Sequence, residues 1–139
     1  MDQSKERTLF NQRFRIATAA AFTALAATAA SAQVAATADE VDDVVAAARN
    51  QLAVLEYCQA QGHIDGKAIE VQNQLSATLP AATDTAKVAS AYEKGKSGTI
   101  SVMGNETSLA DAAATRGTTE EALCQQIASA VEEAGTQTN

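Results

Sequence analysis

The chain carries two cysteines, Cys58 and Cys124, and one histidine, His63, five positions beyond the first cysteine. A nucleophilic thiolate needs an imidazole within hydrogen-bond reach and a third group to orient that imidazole. His63 is close to Cys58 in sequence, but no orienting residue stands out beside it. A zinc site built on Cys58, His63 and Cys124 would need a fourth ligand, and none of the paired spacings of structural zinc sites occurs. The sequence also lacks a CxxC pair, a phosphate-binding glycine loop and a G-x-S-x-G elbow. Carboxylates are plentiful, Glu56, Glu70, Glu106, Glu120 and Glu121 among them. A general acid/base pair, however, needs contrasting environments for its two members, and solvated helix faces offer no such contrast. The expectation is a protein that is not an enzyme, with no catalytic, cofactor-binding or metal-ligating residues. A small envelope enzyme using Cys58 with His63 stands as the alternative from another class.

Whether the two thiols do chemistry or cross-link depends on the compartment, and the N-terminus speaks to that. In "MDQSKERTLFNQRFR", Lys5, Arg7, Arg13 and Arg15 outnumber Asp2 and Glu6. An uncharged run of apolar and small residues follows, and Ala30 and Ala32 frame an A-x-A site. A basic region, a short apolar region and small residues at the cut form a secretory signal. Residues 1–32 are therefore expected to be a signal peptide, cleaved between Ala32 and Gln33. The apolar run is too short and too alanine-rich for a retained span, which needs about 20 predominantly apolar residues. Export to the periplasm or the medium places the cysteines where disulfides persist. Both sit on apolar helical faces, Cys58 three residues after Leu55 and Cys124 three before Ile127. They are expected to be joined.

Cleavage changes the composition. Removing residues 1–32 takes two acidic residues from 17 and four basic residues from 10, which leaves 15 and 6, a net charge of −9. Such a surface has no electrostatic footprint for nucleic acid, and no membrane span is expected after cleavage. All three phenylalanines (Phe10, Phe14, Phe22) leave with the leader, so Tyr57 and Tyr92 are the only aromatics among residues 33–139. The core must be built from Ala, Val, Leu and Ile, whose smaller side chains bury less apolar area each.

Apolar periodicity predicts an all-α fold, a small bundle of about four to five helices in one domain, residues 33–139, stapled by one disulfide. A first helix is predicted over Ala38 to Ala60, with Val41, Val44, Val45, Ala48, Leu52 and Leu55 on one face. Asp39, Glu40, Asp42 and Asp43 suit the positive end of its dipole; "DEVDD" lacks the glycine and closing glutamate of a calcium loop. A second helix is predicted after an Asp65 N-cap, with Ile64 stapling onto Ile69 and Pro80 stopping the run. A third is expected over about Asp84 to Lys94, closed by Gly95. An extended or loop segment is expected near residues 96–107, where Ile100 and Val102 alternate with Thr99 and Ser101. Asn105 to Thr107 match a glycosylation acceptor, although a turn accounts for Asn105 equally well. A short helix is expected to begin at Ser108, with Asp111 three residues on, and to end near Gly117. A last helix is expected behind a Thr118–Glu121 capping box, with a frayed tail over 135–139.

The stretch "GTISVMGNETSLADAAATRGTTEEAL", residues 98–123, resembles the first half of a LysM module: a short strand, a glycine turn, then two small helices. The resemblance implies binding of N-acetylglucosamine-containing glycans such as peptidoglycan. A LysM module ends with a second strand that pairs with the first, whereas this sequence continues as helix through Cys124. The leading expectation is a non-enzymatic exported helical protein acting by binding or in envelope or stress-related interaction, its partner a protein or another component of the cell envelope. Glycan binding through residues 98–123 is the alternative.

Overall fold

A computed structural model describes residues 36–137; the expected signal peptide, the cleavage site between Ala32 and Gln33, and the last two residues lie outside them. Five helices and one small hairpin follow in the order α1 (Ala38–Ala60), α2 (Lys67–Ala77), α3 (Thr85–Lys96), β1 (Thr99–Val102), β2 (Asn105–Ser108), α4 (Leu109–Thr115) and α5 (Glu120–Gln137). The fold is a small helical bundle with one disulfide. The extended segment is longer than a single strand. β2 turns straight back on β1, with Thr99 opposite Ser108 and Val102 opposite Asn105, so each strand supplies the other's backbone partners. No strand follows α5 among the described residues, so β1 pairs within its own hairpin and not across the two helices as in a LysM module.

α1 is the spine, with the bounds its apolar spacing predicts. Thr37 and Glu40 close its start as a reciprocal capping box, and Gly62, at φ +78°, follows its end. α1 and α3 meet along a seam of small residues: Ala46, Ala53, Ala91 and Gly95 are all buried. A Cβ on Gly95 would stand 2.5 Å from the Asn50 carbonyl oxygen and 2.6 Å from the Ala53 Cβ. Gly95 therefore serves close approach inside the helix; α3 continues to Lys96, and the left-handed residue that ends it is Gly98, at φ +78°. Small residues let two helix backbones come near enough for side chain to backbone bonds to span the gap. The buried Asn50 amide donates to the carbonyls of Ala91 and Thr99 at 2.8 and 3.0 Å, and its oxygen accepts from the Ser101 N–H at 2.8 Å. One side chain thus fastens α3 and the hairpin to α1.

Two clusters complete the core. Val54 and Cys58 of α1, Leu109 and Ala113 of α4, and Leu123 and Cys124 of α5 form one. Leu55, Ala68, Ala128 and Val131 form the other, with Ile64 and Ile69 packed against it. The disulfide lies within the first, its Cα atoms 5.7 Å apart.

Several helix ends differ from expectation for local reasons. Asp65 stands one residue before the N-cap, which is Gly66, and accepts from the Lys67 N–H in a local turn. Thr118 spends its N–H on the Ala113 carbonyl, finishing α4 beside Gly117 at φ +65°. The cap of α5 falls to Thr119, whose hydroxyl accepts from the Ala122 N–H. The tail is helical through Gly135 to Gln137, and a Cβ on Gly135 would meet Val71 Cγ1 at 2.4 Å, which places this glycine hard against α2.

The acidic start of α1 holds a second polar tie. Asp42 is buried and accepts from the Thr83 N–H, the Thr83 hydroxyl and the Asp84 N–H, at 2.7, 2.7 and 3.1 Å. Asp84 in turn caps α3 by accepting from the Lys87 N–H. The Thr83 hydroxyl holds the Asp42 carboxyl below its ordinary pKa, and this outweighs the opposing effect of desolvation. A carboxyl depressed in the folded state stabilises above its unfolded pKa of about 3.9 and loses that contribution as pH falls through the folded value. Asp42→Ala should accordingly melt several degrees below wild type at neutral pH, and the gap should close as pH drops below about 4. Thermal melts of both proteins across that range check this; a gap independent of pH would refute the tie.

Candidate functional site

α1, α2, β1 and α5 diverge enough to leave a groove of about 830 Å³ between them. α1 runs along it from Glu40 to Val54, contributing Val44, Ala47 and Ala48 between. That stretch of helix measures about 21 Å at the α-helical rise, so the groove is elongated. α2 adds Leu75, and Leu79 reaches the groove from beyond the end of the helix. Ile100 and Val102, two positions apart and hence on one face of β1, line another wall. Leu123 and Ile127 of α5 lie at the floor.

The buried polar side chains in the lining, Asn50 and Gln72, are already engaged. Gln72 donates to the Ala48 carbonyl and to the Ser76 hydroxyl, and Asn50 is held as described above. Among the described residues no buried side-chain nitrogen or oxygen lacks a partner. A guest in the groove therefore meets apolar surface, with few free hydrogen-bonding groups to satisfy.

The rim is unusual in what it exposes. Three large apolar side chains stand out as exposed among the described residues: Val44 at 52%, Val102 at 48% and Met103 at 85% relative exposure. All three line this groove. Periodicity assigns Val44 to the inward face of α1, and it does point to the same side as Val41 and Ala48, but nothing closes over it. Met103 and Gly104 form the two-residue turn of the hairpin, at φ +50° and +80°. Two positive φ values in succession match a type I′ turn, which prefers Asn, Asp or Gly at its first position. A methionine there is costly for the backbone and places an adaptable apolar side chain at the mouth of the groove.

The residues with chemical potential lie elsewhere. Cys58 is bonded to Cys124, so neither offers a thiolate. His63 is half-buried just past Gly62, its backbone N–H donating to the Cys58 carbonyl at 3.0 Å. No three His, Cys, Asp or Glu side chains gather into a metal-binding group among the described residues. The Tyr57 and Tyr92 hydroxyls donate to Glu120 and Glu56, which raises both phenol pKa values above the ordinary one. The LysM-like stretch divides between the hairpin, α4 and the start of α5, and contributes Ile100, Val102, Met103, Arg116 and Leu123 to the groove.

Sequence periodicity did not reveal this site, because its walls come from segments far apart in the chain. The available signal was an apolar stripe on α1 extending past the residues its neighbours can cover, together with methionine at a turn position that favours asparagine. Met103→Asn should relieve the left-handed strain of about 1 kcal/mol, raising the melting temperature by roughly 4–8 °C in a domain of this size. The same substitution should weaken binding of apolar reporters to the groove. Titration of the variant alongside its melt checks both effects; a lower melting temperature or unchanged binding would count against the role assigned to Met103. No family model, characterised protein or solved structure matches the chain.

Proposed function

We propose that this is a non-enzymatic exported protein, periplasmic or secreted, that binds an apolar guest in the groove between α1, α2, β1 and α5. The observation that carries the proposal is the clustering of Val44, Val102 and Met103, the large exposed apolar side chains among the described residues, on the rim of one groove. Scattered exposed apolar residues are ordinary on a protein surface, whereas contiguous ones mark places where something binds. The volume, about 830 Å³, falls in the range of about 300–1,000 Å³ usual for small-molecule sites.

Export is supported by the basic, apolar and A-x-A segments of residues 1–32. The Cys58–Cys124 bridge fits an oxidising compartment, and no described helix is long and apolar enough to cross a membrane. In such a compartment a protein with an open apolar groove acts as a carrier or a sequestering protein.

Titration with a neutral apolar fluorophore such as N-phenyl-1-naphthylamine tests the proposal. The oxidised protein should enhance its emission saturably. Ala47→Phe, which fills the groove from α1, and Val44→Lys, which makes its rim polar at an exposed position, should each weaken binding at least tenfold with little change in the melt. Binding that ignores both substitutions, or no saturable binding by wild type, would overturn it.

A further inference from the structure

Beyond its apolar lining, the groove carries one cation whose situation differs from that of every other in the expected mature chain. Residues 33–139 contain six basic side chains. Lys67 is paired with Glu132, Lys87 with Asp43, Lys94 with Glu106 and Lys96 with Glu56. Arg49 lies over the Tyr92 ring, 5.2 Å from its centroid. Arg116 alone has no ion pair, ring contact or side-chain hydrogen bond among the described residues, and it lines the groove. Among residues 33–139, with 15 acidic side chains for six cations, an unpaired arginine is the exception.

The two acidic residues in the lining are both engaged. Glu40 accepts from the N–H and hydroxyl of Thr37, which hold its pKa down, and Asp43 is paired with Lys87. Arg116 is therefore the lining charge left to meet a guest. Its guanidinium is exposed and presents a planar fork of donors suited to a carboxylate. The elongated apolar groove with one free cation matches a molecule of the same pattern, a flexible hydrocarbon chain ending in an anion. We propose that the natural guest is a single-chain anionic amphiphile, a fatty carboxylate, with its chain along α1 and its head group at Arg116.

This inference rests on the groove being a binding site for apolar guests. Each methylene buried tightens binding roughly fourfold, so the chain supplies most of the affinity and Arg116 the choice of head group. The net charge of −9 over residues 33–139 opposes anions only weakly at the site, because exposed charges beyond about 8 Å are screened at physiological salt.

The test uses the oxidised mature protein and three ligands of one chain length, decanoate, decanol and decyltrimethylammonium, each below its micelle concentration and read by displacement of the neutral fluorophore. Decanoate should bind about three- to tenfold tighter than decanol, as an exposed but geometrically matched pair allows, and decyltrimethylammonium no tighter than decanol. Arg116→Gln should abolish the preference for decanoate and leave decanol unchanged; Arg116→Lys should restore part of it. Equal binding of decanoate and decanol by wild type, or a preference that survives in Arg116→Gln, overturns the head-group assignment while leaving the groove itself standing. Tighter binding of decyltrimethylammonium also overturns it, and shifts the recognising charge to Glu40 or Asp43. If none of the three displaces a bound fluorophore, the chain-like guest is wrong; if the fluorophore itself does not bind, the groove proposal fails with it.

Discussion

The Cys58–Cys124 bridge is the constraint on which the rest of this small structure depends. It joins the last turns of α1 to the first turns of α5, across 66 positions of sequence. Both sulfurs sit among Val54, Leu109, Ala113 and Leu123 in a cluster without a single phenylalanine or tryptophan. Two members of that cluster, Val54 and Leu123, also line the groove. The same bond that holds the ends of the bundle together therefore fixes the floor of the candidate site. A groove left open to solvent loses apolar burial that a closed core would gain, and a covalent cross-link compensates without filling the space.

The bundle is otherwise held by close approach and directed polar bonds, with bulky packing playing a small part. Alanine and glycine along the α1–α3 seam bring backbones together, and Asn50 uses that proximity to bond three main-chain groups from two other elements. Asp42 and Gln72 make comparable ties toward α3 and within the α1–α2 contact. Buried polar groups of this kind are costly if any partner is lost, and when fully satisfied they specify one arrangement over others. They also account for the shape of the site: α3 is drawn tightly onto one side of α1, while α2 and α5 close only part of the other.

Much of this was legible in the sequence, and the failures share a cause. α1 has the bounds its periodicity predicts, because one long amphipathic stripe dominates local competition. Cys58 and Cys124 pair as expected, since each occupies a core-facing helical position. Gly95 reads as a terminator in the sequence yet lies inside α3, because a glycine near a helix end fits both chain reversal and helix contact, and only the partner helix distinguishes them. Thr118 and Thr119 are equally good caps by type; the carbonyl of Ala113 decides by claiming the first. The second strand leaves no mark in the sequence because Asn105–Ser108 carries no apolar alternation, its register being set by the turn. Val44 looks like core until it is known that no neighbour is wide enough to cover it. The groove and the isolation of Arg116 arise from where distant segments meet, which periodicity does not encode.

The claim that the bridge sustains both fold and groove is most directly tested by calorimetric melting of the oxidised protein against the same protein with verified reduced thiols. The chain-entropy account gives a loop of this length about 4 kcal/mol, comparable with the whole stability of a marginal domain, about 5 kcal/mol at the low end. The prediction is a fall in melting temperature of roughly 15–30 °C on reduction, or loss of the cooperative transition altogether. A melt unchanged after full reduction would contradict the account, and would mean that the small-residue seam and its polar ties hold the bundle unaided.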